Sequence, residues 1–477
     1  MNSEITTRTN SGFKKPPLRK AKPAGPTARE PAETKPEFRL LRGLVWAYFW
    51  LLLFEGAFRK WWLPQFSDPL LIIRDPIALW IIFLAGKHRL VPHEKLYRWL
   101  IFLAVAGVLL CVAQFILLKT PPYVLIYGYR TAFLHLPLIF LLPLILSRQD
   151  VLRFGFWVLI LALPMAALMA WQFNSPADAW INKTVGTSGT LQITSAMGKI
   201  RPPGTFSFVS GCIAFFSLLT AFLGYGLVSR PQVYPKWLLA CASVAVGLGV
   251  AVSGSRATLL SVGIVAAAWV FGAFAGKRIS TSAANAAIVL LVAVFVLQQV
   301  PMMREGTEVL DHRIEIARLS EEEGGGLLGR ILGDMIKPLQ RLREVPFFGV
   351  GLGSGTNVGS VILTGEMKFL VSEGEWGRIL FESGPIFGLV FLGFRLALAF
   401  QLGLGCVRAA GKQQILPILL FSACAMGIVS GQFGQPTTLG FTVFGAGLCW
   451  AALRRAEAET TVEGPFFKRV PFQKQAP

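Results

Sequence analysis

The sequence is poor in charge, in histidine and in paired cysteine, and each shortage excludes a class of protein. Only 15% of the 477 residues are charged and 53% are hydrophobic, so the formal charge of +20 does not indicate a soluble nucleic-acid-binding protein. The six cysteines lie inside apolar runs without a CxxC pair or a Cys/His ligand spacing. The GxxxxGK(S/T) loop of nucleotide-binding proteins is also absent. We therefore expect no disulfide framework, no metal, no cofactor and no nucleic-acid partner.

What the chain does have is a series of apolar runs that are long enough for a hydrocarbon core of about 30 Å. Continuous runs predict α-helices, because a membrane β-barrel would show alternation over short strands. We predict an all-α, polytopic membrane protein with about 12 transmembrane helices and one large external loop between helices 9 and 10. The spans are placed at residues 41–58, 69–86, 97–118, 124–147, 154–173, 206–228, 235–252, 257–275, 284–301, 379–402, 414–431 and 436–453.

Composition divides the chain into five regions. Residues 1–40 are basic and rich in proline, which predicts a disordered cytoplasmic tail. Helices 1–9 are predicted within residues 41–301 and helices 10–12 within residues 379–453, and a second cytoplasmic tail follows at 454–477. Residues 302–378 are the large external loop, in which GGGLLGRILGDMIKPLQRLREV places apolar residues at helical spacing. That stretch predicts an amphipathic helix on the outer surface.

The lysines and arginines of the loops predict the orientation. With the N-terminus inside, the inner segments carry 27 lysines and arginines, whereas the short outer loops carry seven. Basic loops of membrane proteins remain on the cytoplasmic side. Both termini are therefore predicted to be cytoplasmic.

Three arginines stand on the outer face, where the positive-inside rule disfavours them. Arg201 in RPPGTFSF and Arg256 in SGSRATLL each precede an apolar run, and Arg130 in IYGYRTAFLH lies near the outer end of a span. They either anchor lipid phosphates or form a pocket for a phosphate-like anion. Several arginines on this face favour the pocket, because a guanidinium group presents a planar fork of donors to phosphate oxygens.

Two groups of mixed charge lie on the same face. Glu55, Arg59 and Lys60 belong to FEGAFRKWWLP, and Arg74 and Asp75 belong to LLIIRDPIAL. Because the signs are balanced, we expect these residues to pair with one another as scaffolding inside the membrane. The alternative is that they line the same cavity as the arginines.

A third polar group, SEGEWGRILFESG, leads into the tenth predicted span. On a helix Glu375, Arg378 and Glu382 share a face, which predicts ion pairs at the i+3 and i+4 spacings. Glu373 and Glu375 are also candidates for a general base, since a carboxylate at the aqueous end of a span can accept a proton from an attacking hydroxyl.

Residues 125–400 resemble the O-antigen ligase and polymerase superfamily. The resemblance lies in the order, spacing and sidedness of four motifs: RPPGTF, SGSR, PFFGVGLGSGT and ESGPIFGL. The resemblance implies a helical glycosyltransferase at the periplasmic face of the bacterial cytoplasmic membrane, in lipopolysaccharide or exopolysaccharide synthesis. It implies an undecaprenyl-diphosphate-linked oligosaccharide as donor, a glycan or lipid as acceptor, contact with membrane lipids, and other polysaccharide-assembly proteins as partners. Neither a metal nor a nucleotide sugar is implied.

The resemblance also assigns residues. The diphosphate-binding arginines of the family map onto Arg201 and Arg256, with Arg130 in support. The family's ligases usually carry a histidine nine residues before the glutamate of the ExG turn, and here that position is Glu373. Glu373 or Glu375 would then act as the base in place of the histidine. Supporting roles are expected for Arg59, Arg74, Arg378 and Glu382.

Two other classes of function remain open at this point. A transporter or flippase for a polyanionic lipid or glycan would show inverted repeats and charges spread through the depth of its spans. A relative without catalytic activity would bind glycan lipid within an assembly complex. The charged residues are concentrated at the outer span ends and no repeat is clear, which favours the enzyme.

Overall fold

The computed structural model describes residues 36–185, 199–229, 231–275, 308–309, 315, 326–366, 368 and 370–462. Over these residues the chain forms helices and no β-strand, so the all-α prediction is confirmed for the described part. The chain divides into a unit of residues 1–40 and a compact unit of residues 41–477. The packing described below concerns the second unit.

The helices of the first half of the chain are α1 (Pro36–Ala57), α2 (Ser67–Leu70), α3 (Arg74–Lys87), α4 (Lys95–Leu118), α5 (Pro122–Tyr129), α6 (Pro137–Ile145), α7 (Arg148–Asn174), α8 (Val209–Val228), α9 (Lys236–Val252) and α10 (Arg256–Ala275). Those of the second half are α11 (Gly326–Gln340), α12 (Asn357–Thr364), α13 (Glu375–Ser383), α14 (Pro385–Gly411), α15 (Leu416–Ser430) and α16 (Pro436–Val462).

Eight helical segments of the described chain are long and apolar enough to cross a membrane: Phe38–Trp62, Pro64–Lys87, Lys95–Leu118, Pro122–Ile145, Arg148–Asn174, Val209–Val228, Pro385–Gly411 and Pro436–Arg454. Three more apolar helices are shorter, at Lys236–Val252, Arg256–Gly272 and Leu416–Ser430. The predicted span at 284–301 and much of the predicted external loop lie outside the described residues, as do residues 1–35 and 463–477 of the tails. The total of twelve spans stays a prediction.

Local sequence explains two features of the helices. Ser147 begins α7 with a capping box, in which its hydroxyl accepts from the Asp150 nitrogen at 3.2 Å and the Asp150 carboxylate accepts from the Ser147 nitrogen at 2.8 Å. The predicted span at 124–147 is not one α-helix. It is α5 and α6 joined by a π-helical turn at Arg130–Leu134, and Pro137 lies at the start of α6.

The core holds the helices together by close packing of aromatic rings. Phe49 of α1, Phe154 of α7 and Phe444 of α16 form a triangle with ring centroids 5.1, 5.4 and 5.1 Å apart. Each such pair contributes about 0.5–1.5 kcal/mol beyond its buried area. Between helices in lipid this contact energy is important, because lipid tails are as apolar as the side chains they would replace.

The predicted amphipathic helix of the large loop is present as α11. Met335 and Leu339 pack against the core, whereas Leu332 and Ile336 are about half exposed. The helix lies against α13, which carries part of the SEGEWGRILFESG motif.

Candidate functional site

Polar side chains from separate helices meet at one end of the bundle. We call this part the polar end; it comprises residues 55–62, 71–75, 201–210, 373–384 and 427–436, which hydrogen bonds connect across the chain. The motifs singled out in the sequence thus lie together. Their sidedness in a membrane stays a prediction.

The mixed-charge groups at this end form a scaffold. Glu55 pairs with Arg59 of the same helix at 3.4 Å and with Arg74 of α3 at 3.0 Å. Arg74 also donates to the carbonyl oxygen of Pro436 at 2.6 Å, which joins α3 to α16. All three charged side chains are buried. The prediction that these residues pair with one another is confirmed for Glu55, Arg59 and Arg74.

Asp75 has different partners from those expected. Arg130 donates to both of its carboxylate oxygens, one of them at 2.9 Å, and His135 lies 3.1 Å from the carboxylate. Tyr48 contacts the other nitrogen of His135 at 3.2 Å. Arg130 therefore has an anionic partner within the bundle and is not among the residues that line the cavity described below.

Lys60 and Gln172 hold the RPPGTF loop in place. The Lys60 Nζ donates to the Gly204 carbonyl oxygen at 2.6 Å, and the Gln172 side chain donates to the same oxygen at 3.2 Å and accepts from the Gly204 nitrogen at 2.8 Å. Gly204 has a φ of +58°, a region that favours glycine. The Thr205 hydroxyl completes the attachment by donating to the Leu53 carbonyl oxygen at 2.7 Å.

Glycines let these backbones approach closely. A Cβ on Gly56 of α1 would lie 2.4 Å from the Ser207 nitrogen, so EGAFRK packs directly on the RPPGTFS backbone. A Cβ on Gly128 of α5 would lie 2.4 Å from the Gly353 nitrogen, within GVGLGSG. Gly56 and Gly128 therefore allow α1 and α5 to pack directly on the backbones of these two loops.

A cavity of about 530 Å³ lies at the polar end between α8, α10, α15 and α16. Apolar side chains such as Ile213 and Phe441 form much of its wall, together with serine, threonine and glutamine side chains. Such a mixture suits a ligand with a hydrocarbon part and a polar head.

Of the two arginines predicted to bind an anion, one lines this cavity and the other is next to lining residues in the chain. Arg201 lines it directly. Arg256 begins α10 between Ser255 and Ala257, both of which line the cavity, and its own side chain is partly exposed. The structure thus brings the RPPGTF and SGSR motifs to one cavity.

The two candidate bases differ in environment. Glu375 is buried, and its carboxylate accepts from Arg378 at 2.8 and 2.9 Å, from Arg395 at 2.9 Å and from the Phe433 nitrogen at 3.2 Å. Burial alone would raise the pKa of Glu375, but the charges of Arg378 and Arg395 outweigh it and lower that pKa. A carboxylate held in this way is a weak base. Glu373 is exposed, which leaves it the better candidate of the two.

The remaining carboxylate of the motif anchors the glycine-rich loop. Glu382 pairs with Arg378 at 2.7 Å and accepts from the Gly355 nitrogen at 2.7 Å. The predicted i+3 and i+4 ion pairs of this helix are therefore confirmed. Gln114 of α4 supports the same loop by accepting from the Leu352 nitrogen at 2.8 Å and donating to the Glu382 carbonyl oxygen at 2.8 Å.

Sequence reasoning missed two parts of this site. Arg395 is buried within α14 and donates to Glu375 and to carbonyl oxygens at the end of α15. A single arginine inside an apolar run was the signal for it. Gln432 and Gln435 of GQFGQP line the cavity. The sequence signal for them was the presence of two glutamines beside the end of a span.

Among the described residues, no group of three or more histidine, cysteine, aspartate or glutamate side chains could hold a metal ion. Comparison of the sequence with protein-family models finds no match, and comparison with curated proteins finds none either.

Proposed function

We propose that this protein is a membrane glycosyltransferase that ligates or polymerises an undecaprenyl-diphosphate-linked oligosaccharide at the periplasmic face of the bacterial cytoplasmic membrane. The observation that carries the proposal is the cavity of about 530 Å³, which has apolar walls, is lined by Arg201 and lies beside Arg256. A lipid diphosphate has the matching chemistry, since its chain is apolar and its head is anionic. The resemblance of the motifs to the O-antigen ligase and polymerase superfamily points to the same substrate.

In the proposed reaction, an acceptor hydroxyl attacks the anomeric carbon of the sugar attached to the diphosphate. The new C–O bond forms as the bond to the diphosphate breaks, and undecaprenyl diphosphate leaves with the bonding electron pair. Arg201 and Arg256 stabilise the negative charge of the departing group. Glu373 accepts the proton of the attacking hydroxyl.

The test uses the purified full chain in lipid nanodiscs with a lipid-linked oligosaccharide as substrate. New glycosidic bonds are measured by mass spectrometry of the products. We expect Arg201→Ala and Arg256→Ala to lower the rate by at least about 100-fold, the effect of removing one donor to a developing negative charge. Arg341→Ala is the matched control, because Arg341 is exposed and pairs with the exposed Glu344.

Glu373→Gln is expected to lower the rate while leaving donor binding intact, because it removes the proton acceptor and no contact to the diphosphate. Product formation that is unchanged in both arginine variants would overturn the assignment of the cavity. The same protein is also placed in lipid vesicles. Movement of the intact lipid-linked glycan across the vesicle membrane, without a new bond, would favour a transporter instead. Binding with neither reaction would favour a non-catalytic glycan-lipid-binding protein.

A further inference from the structure

Four side chains of the cavity wall form a chain of hydrogen bonds that ends on the backbone of Glu373. The hydroxyls of Ser210 and Thr438 contact Gln435 Oε1 at 3.0 and 3.3 Å. Gln435 Nε2 donates to Gln432 Oε1 at 2.5 Å, and Gln432 Nε2 donates to the Glu373 carbonyl oxygen at 2.8 Å. Ser210, Gln432, Gln435 and Thr438 all line the cavity.

Simple chemistry fixes the direction of this chain. A backbone carbonyl oxygen only accepts, so the Gln432 amide must turn its nitrogen toward Glu373 and its oxygen toward Gln435. Gln435 must then turn its nitrogen toward Gln432 and its oxygen toward the two hydroxyls. Both hydroxyls consequently donate, and no alternative orientation of the amides satisfies every bond.

The fixed direction determines what the wall offers to a ligand. Each amide nitrogen carries two hydrogens, and the bonds within the described residues use one at Gln432 and one at Gln435. No described residue donates to the hydroxyl oxygens of Ser210 and Thr438, which keep their acceptor lone pairs within this part of the chain. Donors and acceptors therefore stand side by side, which suits a sugar hydroxyl that both donates and accepts. A carboxylate or phosphate only accepts, so it would use the amide hydrogens and leave the hydroxyl lone pairs without a donor.

The charge of the cavity supports the same conclusion. Among the described residues that line it, Arg201 is the only charged one. The guanidinium group of Arg201 beside a neutral hydrogen-bonding wall matches a ligand with an anionic head and an uncharged polar neighbour.

We propose that Ser210, Thr438, Gln435 and Gln432 form a subsite for the hydroxyl groups of an uncharged sugar, the one attached directly to the diphosphate of the donor. This inference rests on the proposed function. Because the chain of hydrogen bonds ends on the Glu373 carbonyl oxygen, the subsite adjoins the segment that carries the candidate base.

The experiment measures equilibrium binding to the full chain in lipid nanodiscs by quenching of tryptophan fluorescence. Three probes are used: farnesyl diphosphate, farnesyl diphosphate carrying N-acetylglucosamine, and farnesyl diphosphate carrying glucuronic acid. We expect wild type to bind the N-acetylglucosamine probe about tenfold more tightly than plain farnesyl diphosphate, the effect of one or two net hydrogen bonds. The glucuronic acid probe should gain less.

Gln435→Leu and Ser210→Ala are expected to abolish the tenfold preference while plain farnesyl diphosphate is still bound. Ser422→Ala is the matched control, because its hydroxyl donates to the Leu419 carbonyl oxygen at 2.8 Å and Ser422 does not line the cavity. Should Gln435→Leu fail to fold, Ser210→Ala and Thr438→Val make the same test with smaller changes.

The outcomes separate the two proposals. If the variants retain the preference, or if wild type prefers the glucuronic acid probe, the sugar subsite is wrong and the proposed function stands. If wild type binds none of the three probes, both proposals are wrong. Loss of the preference in the variants, with plain farnesyl diphosphate still bound, supports both.

Discussion

The pair formed by Glu375 and Arg395 is the most consequential single contact of the polar end. Arg395 donates to Glu375 at 2.9 Å and to the carbonyl oxygens of Ile428 and Gly431 at 2.7 and 2.8 Å, and its guanidinium lies 3.9 Å from the ring centroid of Phe433. It thereby fixes the segment after α15 that lines the cavity. We predict that Glu375→Gln destabilises the protein strongly although it changes few atoms.

The magnitude follows from the charges that the substitution leaves behind. Arg378 keeps Glu382 at 2.7 Å, whereas Arg395 loses its only anionic partner among the described residues while it remains 1% exposed. Breaking a buried pair in this way costs about 3–5 kcal/mol. Combining Glu375→Gln with Arg395→Met removes both charges, so the double variant is expected to lose less than the sum of the single losses.

The free energy of unfolding is measured by titrating SDS into mixed micelles and following tryptophan fluorescence. Arg341→Ala serves as the control, because its ion pair with Glu344 is exposed and should contribute nothing measurable. A loss below about 1 kcal/mol for Glu375→Gln, the range of surface pairs, would refute the argument that this buried pair holds the site together.

Two further predictions concern backbone approach and pH. Gly56→Ala brings a Cβ 2.4 Å from the Ser207 nitrogen and should cost about 1–3 kcal/mol, whereas Gly43→Ala on the same helix meets no atom within 4 Å and should be neutral or stabilising; equal melting temperatures for the two variants would contradict this. The pKa of Glu375 is lower in the folded protein than in the unfolded chain, where it is near 4.5. The ionised Glu375 therefore stabilises the fold fully above pH 4.5, and this stabilisation is lost as the pH falls through the pKa of the folded protein. Unfolding free energies between about pH 7 and 3 should fall more steeply for wild type than for Glu375→Gln, and parallel curves would refute this assignment.

The helices and their pairings of charge could be predicted because lipid leaves the backbone few choices. A long apolar run must be helical to satisfy its own hydrogen bonds, and charges at the same depth must find opposite partners. Glu55 and Arg74 accordingly form the pair that their sequence positions predict.

Other features have no signal in hydropathy. The π-helical turn at Arg130–Leu134 changes the backbone hydrogen bonds without changing the apolar run around it. Arg395 is visible as an arginine inside an apolar run, but its partners lie outside that run, in segments before and after it. Gln432 and Gln435 carry no charge, so their part in the cavity depends on the approach of Ser210 from α8, which only the fold provides.

The arrangement of the ion pairs bears on the choice between an enzyme and a transporter. Alternating access requires one group of helices to rock against another around the ligand. Here the ion pair of Glu55 and Arg74 joins α1 to α3, and the ion pair of Glu375 and Arg395 joins α13 to α14. Arg395 also donates to a carbonyl oxygen near the end of α15. Each ion pair is buried, so separating its charges would leave an unpaired ion in a dry environment at a cost of about 3–5 kcal/mol. A polar end joined in this way favours a preorganised site, which stabilises a departing anion without rearranging, over one that must open at each cycle.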